Sequence, residues 1–486
     1  MTDRLPRQVL VVDVGTSGVR ATVVHEDATI AHVQYEEVLP SSPAQGFVEF
    51  DASEMATAVL RVARAARERS GPVAAVGIAN QRASTIVWDR ETSEPVGPGI
   101  GWQDLRTVGM CLMLRDDGIR LAPNQSATKL AMLLDLADPD RTRDLCFGTV
   151  DTWVAWVLSE GQLHVTDHTN AGVTGLVTDD GRGFDARRCE QLRIPASVLP
   201  RIVDSSGVLD PASALDGAPP IAALVGDQQA SLVGQGCLSP GRAKATFGTG
   251  GMLDCCVGLE RPSFAERGHN GCFPIIAWSE QGRLTWGLEA VMLSAGSCVE
   301  WLRDDLGVVA TAAETDGLAA SVEDAAGVYF VPALLGLGTP VWDFGARGTF
   351  VGITRGTTKA HLVRAVLEGV AHRGADLLEA AEGDAGLSVG ALAVDGGMSE
   401  NATFLQALAD ATGRRVDVSA VTEATAMGAA FLAGVATGVW PDLETATSLL
   451  KPRLSVEPRR RLDRDRWLEA RGRAERTVPE LSSLDF

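Results

Sequence analysis

Val9-Leu10-Val11-Val12-Asp13-Val14-Gly15-Thr16-Ser17-Gly18 opens the chain with an apolar run that ends in a carboxylate and a tight turn. Val19 to Val24 then returns as a second strand, so the segment reads as a β-hairpin whose turn directly follows an acid. Successive backbone N–H groups in such a turn form a nest that holds anions. Asp13 beside it would hold Mg²⁺ if nucleotide phosphates bind here, through water because that ion keeps much of its hydration shell; the alternative is a plain surface hairpin of turn-favouring residues. Thr16 and Ser17 add hydroxyls, and Arg20 could offset phosphate charge.

The same device returns later. Arg242 to Phe247 leads into Gly248-Thr249-Gly250-Gly251, and Met252 to Val257 runs back. Two Gly-Thr hairpins, one in each half, suggest two related domains facing one another, residues 1–237 and 238–486. A third landmark, Leu392 to Met398, is a strand ending in Asp395-Gly396-Gly397, with a helix from about Asn401 to Ala411. Strand, paired glycines and helix let backbone approach a ligand at a helix N-terminus. A long helix from about Lys359 to Ala381 aligns Leu362, Val366, Val370 and Leu377 on one face. Strand-like and helical segments alternate throughout, which gives an α/β protein.

Ala223-Leu224-Val225-Gly226-Asp227-Gln228 is a buried strand that ends at an acid where a helix starts. Asp227 could simply cap that helix. As a general base it would take the proton of an attacking hydroxyl, a job for a carboxylate within hydrogen-bond reach. Asp13 and Asp227 would then divide the work, one organising metal and one accepting a proton. Gly77 to Arg82 ends another strand in amide and guanidinium groups, and Trp102 could lie on the carbon side of a polyol or, equally, pack in a core.

Composition removes several alternatives. The 486 residues, 45% hydrophobic and 22% charged, suit a globular protein with two or three domains. A net charge of −20 opposes nucleic-acid or anionic-membrane partners. The one dense arginine region, Arg459 to Arg466, is interleaved with acids and reads as a solvated helix face. None of the four lysines follows a Gly-x-x-x-x-Gly, and no Gly-x-Gly-x-x-Gly opens a helix, so neither a P-loop nor a Rossmann site is present. The N-terminus lacks an apolar leader and no apolar stretch approaches a membrane span, which points to a soluble, cytoplasmic protein. Eight scattered cysteines without Cys-x-x-Cys read as buried thiols.

Taken in order, Asp13-Val14-Gly15-Thr16, Asn80-Gln81-Arg82, Trp102-Gln103, Phe147 to Trp153, His164 to Asp167 and Gly226 to Gln229 resemble the FGGY family of carbohydrate kinases. Gly336 to Pro340, Gly348 to Glu368 and Asp395-Gly396-Gly397 with Asn401 continue the match, nearest the glycerol kinase branch. The resemblance implies a two-domain actin/hexokinase-like (ribonuclease H-like) fold with a central cleft between the domains. It implies ATP and Mg²⁺, a small polyol or sugar as acceptor, and assembly as a homodimer or homotetramer. Carried over by position, Asp227 is the catalytic base, with Asp13 and Asp227 on the metal side. Thr16, Ser17, Arg20, Gly248 and Thr249 surround the phosphates; Gly296, Glu300, Gly397 and Asn401 lie near the adenosine. The acceptor pocket comprises Arg82, Ala83, Trp102, Asn124, Gln228 and Met252.

Ala83 stands where the branch has Glu, Asn124 where it has Tyr, Met252 where it has Phe, and Glu300 where it often has Gln. Losing a carboxylate and an aromatic opens space, so an acceptor longer than glycerol, such as a tetritol, pentitol or ketopentose, is expected. Ala214 to Pro219 replaces the lysine-bearing loop that binds fructose 1,6-bisphosphate in many members, so no inhibition by that compound is expected. A catalytically silent sugar sensor of the same fold is the rival reading, and retention of both acids opposes it.

Overall fold

The computed structural model describes residues 7–484. Strands β1 (Gln8–Val14), β2 (Gly18–His25), β3 (Ile30–Glu37), β4 (Ala75–Asn80) and β5 (Ile221–Gly226) form one sheet in the order β5-β4-β1-β2-β3. β1 and β2 are the expected hairpin, and β4 and β5 continue the sheet in parallel. The second sheet contains β6 (Ala243–Phe247), β7 (Gly251–Gly258), β8 (Phe273–Glu280), β9 (Arg283–Met292), β10 (Ala391–Asp395), β11 (Arg415–Val418) and β12 (Leu454–Val456). Its order is β8-β9-β7-β6-β10-β11-β12. β6 and β7 pair antiparallel, β9 lies outside β7, and β10 and β11 extend the other side in parallel. Stripped of β8 and β12, this is the arrangement of the first sheet. The two Gly-Thr turns therefore occupy equivalent corners of two related halves.

Val9, Leu10, Val11 and Val12 are all fully buried because both faces of the first sheet are covered. Leu10 and Val12 pack with helix α1 (Ala52–Ser70) through Ala58 and Val59. Val9 and Val11 pack with Ala429, Ala430 and Ala433 on the opposite face. Each such aliphatic side chain contributes roughly 1.5–3 kcal/mol when removed from water. This two-sided cover explains a continuous apolar run where a half-buried strand would alternate.

Helix α2 (Asp227–Gly234) leaves the end of β5. In the second half, α3 (Lys359–Ala385) and α4 (Ala402–Thr412) follow the expected segments, with Asn401 capping α4. The helix that follows, α5 (Ala424–Ala436), returns to cover the first sheet and crosses α2 closely. A Cβ on Gly428 would stand 1.8 Å from the Ala230 carbonyl oxygen, and one on Gly234 would stand 2.0 Å from that of Ala424. Small residues are thus required where these backbones meet.

The C-terminal arginine region is solvated only in part. It enters helix α6 (Arg464–Ala474), whose Trp467 is buried and stacks on His372 of α3. Arg464 and Arg471 bond Asp376, and Arg460 pairs with Asp410 and Glu368. Arg459, Arg461 and Arg466 match the expectation of solvation, all three being exposed, the Arg466 side chain by 68%. The three cations around buried Asp376, Arg373 among them, hold its carboxyl down at about 2 despite burial. All eight cysteines are free and buried, and Cys255 and Cys256 enter different cores, as neighbours on a strand must. Among the described residues no helix is long and apolar enough to cross a membrane.

Candidate active site

Asp13 and Asp227 flank β4 at the same end of the first sheet. Val14 and Gly226 both pair with Asn80, so the two acids sit two strands apart, roughly 10 Å at the backbone from the strand spacing. The carboxyl ends of strands in open α/β sheets are where ligands collect. Burial first, and then the Asp227 charge, push the Asp13 carboxyl up to about 7. Burial also raises Asp227, opposed chiefly by the Arg82 guanidinium. Gly226, not Asp227, is the N-cap of α2; Asp227 is its first residue and accepts from the Gln228 backbone N–H at 2.8 Å. Asp227 is therefore not the N-cap, although its Oδ1 serves a first-turn N–H.

A buried polar network fixes both strand ends from below. Asp167 accepts from Ser205, Thr169 and Asn170; Asn170 exchanges amide bonds with Asn80, at 2.8 and 3.1 Å. The Thr169 hydroxyl accepts from the Gly226 N–H at 2.8 Å. Asn80 precedes Gln81-Arg82 and Gly226 precedes Asp227, so one network sets the level of the Asp227 carboxylate and the Arg82 guanidinium together.

Arg82 reaches the site from the end of β4, its Nε 3.6 Å from Asp227 and its Nη2 2.6 Å from Glu289 on β9. Lys244 on β6 donates to the Gln228 Oε1 at 2.5 Å, which leaves the Gln228 amide NH₂ to donate. Lys244 in turn pairs with buried Asp254 on β7 at 2.9 Å. Trp102 is partly exposed, and its indole N–H meets the Thr16 hydroxyl at 3.4 Å, which joins the Trp102 loop to the first turn. Lys129, wholly buried, donates to the Gly101 and Trp102 carbonyls and holds that loop; burial lowers its ammonium to about 8. Ala83 is buried with φ +61, and its carbonyl accepts from Ser126, two residues beyond exposed Asn124. Met252 shares a sheet face with Asp254, two residues nearer the second turn.

Around the turns, a Cβ on Gly397 would meet no atom within 4 Å, and those on Gly15 and Gly248 would only graze 3.8 and 4.0 Å. Packing does not demand glycine there. Gly296 is different: its N–H bonds the Gly248 carbonyl at 2.8 Å, and a Cβ would come within 2.6 Å of that oxygen. Thr249 accepts from the N–H groups of Ala295 and Ser297, so the second turn and the Gly296 turn form one unit. Gly396, at φ +88, packs on Phe247 and brings Gly397 beside them. Ser17, Thr249 and Gly397 are exposed on this surface.

Two of the residues expected near the nucleotide are already engaged. Arg20 forms an ion pair with Glu423 at the entry to α5. The Asn401 amide donates to Thr315 and accepts from the Phe404 N–H, so it offers position more than a free group. Glu300 is exposed beside the Gly296 turn.

Among the described residues no cluster of three or more His, Cys, Asp or Glu could hold a metal. Two raised, mutually repelling carboxylates nevertheless suit a hydrated Mg²⁺, which takes one or two protein carboxylates together with phosphate oxygens. Glu289, Lys244 and Asp254 were not among the expected site residues. They lie on strands of the other half and carry no local motif.

The pattern of the "FGGY family of carbohydrate kinases, N-terminal domain" matches residues 8–234, and that of the C-terminal domain matches residues 243–437. The chain belongs to the FGGY family of carbohydrate kinases. A glycerol kinase of Dechloromonas aromatica is 42% identical over 96% of each chain, and glycerol kinase 2 of Pseudomonas aeruginosa is 41% identical over 92% of each. The fold superposes on Plasmodium falciparum glycerol kinase, solved with ADP, at a TM-score of 0.88 and 26% identity over 99% of each chain. It also matches a Lactobacillus acidophilus xylulose kinase at a TM-score of 0.82, at 19% identity over 96% of each, which speaks to the fold alone. The expected actin/hexokinase-like fold and the ATP-dependent kinase class are both borne out. The FGGY kinase thus carries its acids on one half and its second glycine-threonine turn on the other.

Proposed function

We propose that the chain transfers the γ-phosphoryl group of ATP to a hydroxyl of a small polyol, with glycerol among its acceptors. The observation that carries this is the convergence of Arg82 and Asp227 from adjacent strand ends at 3.6 Å, with Trp102 joined to the phosphate-side turn. Asp227 takes the proton of the acceptor hydroxyl at a carboxylate oxygen, and Arg82 and the Gln228 amide orient its neighbours. Trp102 covers the carbon face. Thr16, Ser17, Thr249 and the open backbone at Gly15, Gly248 and Gly397 receive phosphate oxygens, with Gly296, Glu300 and Asn401 on the adenosine side. Mg²⁺ bound near Asp13, with Asp227 beside it, would neutralise charge on the phosphates. The acceptor side then belongs to residues 1–237 and the nucleotide side to residues 238–486.

The same reading places the enzyme in the cytoplasm as a homodimer or homotetramer, without nucleic-acid or membrane partners; the net charge of −20 supports the latter. The relatives support glycerol. The small buried side chain at Ala83 and the exposed turn at Asn124 favour a second reading, in which acceptors of four or five carbons are used better. ADP release coupled to a dehydrogenase, measured with glycerol, erythritol, pentitols and ketopentoses, decides between them. Turnover with glycerol supports the first reading, and a kcat/KM higher for a longer acceptor establishes the second. Absence of turnover with the whole panel refutes both.

A further inference from the structure

Three carboxylates and two cations share the floor of this site. Lys244, Asp254 and Glu289 stand directly opposite one another across β6, β7 and β9, so they form one row on a single face of the second sheet. Lys244 takes Asp254 at 2.9 Å, with both side chains fully buried. Arg82, arriving from the first half, then has two carboxylates within reach. It makes its short contact with Glu289 through Nη2 and leaves Asp227 at 3.6 Å from Nε. A charge-assisted contact at 2.6 Å directs the guanidinium far more strongly than one at 3.6 Å. Its remaining nitrogen, Nη1, is buried and has no hydrogen-bond partner. A buried N–H of that kind requires an acceptor atom, and a substrate hydroxyl oxygen is one.

We propose that Glu289 is a positioning residue of the acceptor site: it holds Arg82 through Nη2, keeps that cation off Asp227, and presents Nη1 to an acceptor hydroxyl. The proposal rests on the roles given to Arg82 and Asp227 above. It gives the second half, which carries the nucleotide turn, a share in orienting the acceptor. If the Glu289 charge is lost, Asp227 becomes the nearest full charge to Arg82. The two would close to contact and occupy the oxygen that must accept the proton. The turns at Gly15, Gly248 and Gly397 are untouched by that change, so the loss falls on the acceptor.

The test is steady-state kinetics of the full-length enzyme with MgATP and its best acceptor. Glu289→Gln keeps size and removes charge; acceptor kcat/KM falls at least about 10-fold while KM for MgATP stays within about twofold. In an Arg82→Gln background the same change costs less than about twofold, because the side chain it positions is gone. Glu289→Asp, which keeps the charge, retains most of the acceptor kcat/KM and guards against a Gln variant that does not fold. Equal losses for both substrates, unchanged acceptor kinetics, or the same loss in both backgrounds would overturn the proposal while the wild type remains active. A wild type with no acceptor activity would overturn the kinase reading and this inference together.

Discussion

On the proposed reading Asp227 has one duty, to take a proton; its Oδ1 accepts from the Gln228 N–H and lies 3.6 Å from the Arg82 Nε. Replacement by Asn keeps shape and removes basicity. Turnover should fall by on the order of 10² to 10⁴ while ATP binding, followed by titration, stays near wild type; normal turnover would unseat the base. Asp13 makes a different prediction, because burial lifts its carboxyl from 3.8 to about 7 in the folded protein. Between those values the folded chain binds a proton that the unfolded chain has released, so stability falls as pH rises through that window. Asp13→Asn should flatten the decline in metal-free thermal stability between pH 5 and 8, and at pH 8 be more stable by on the order of 1–3 kcal/mol. Identical pH slopes for the two proteins would contradict it. Both acids were legible because each ends an apolar run and precedes a turn or helix, a local signal. Glu289 was not legible, since its role exists only where β9 brings it to Arg82, 207 residues away in sequence.

Hairpins and helices carry these side chains, and their reading from sequence was uneven for a physical reason. The β1-β2 and β6-β7 hairpins and the helix Lys359–Ala385 follow from turn chemistry and periodicity within the segment itself. Nothing local tells that α5 leaves the second half to cover the first sheet, because a helix rich in alanine and glycine has no marked apolar face. Its small residues make sense only against α2 and β4, where a Cβ on Gly77 would stand 2.8 Å from the Ala429 carbonyl oxygen. Arg464 misled in the same way, because Asp376 that binds it lies on another helix. Since α5 fixes α2, and α2 begins with Asp227, packing at Gly428 bears on catalysis. Gly428→Val forces the helices apart and should cost on the order of 1–3 kcal/mol or more, with a lowered Tm and a lower kcat in the folded fraction. A variant with wild-type Tm and kcat would show that the contact is dispensable.

At the level of the whole molecule, the central claim is that two related halves meet around one polar site and that the reaction needs both. Arg82 to Glu289, Gln228 to Lys244, and Ser231 and Gln235 to Asp395 all bridge the halves there. A site assembled in this way excludes water when filled and spares ATP when the acceptor is missing. The most direct measurement is ADP release from MgATP by the wild-type protein, with and without glycerol or the best acceptor of the panel. The account predicts that acceptor raises the rate by at least about 100-fold. ADP released equally fast in its absence would contradict the account.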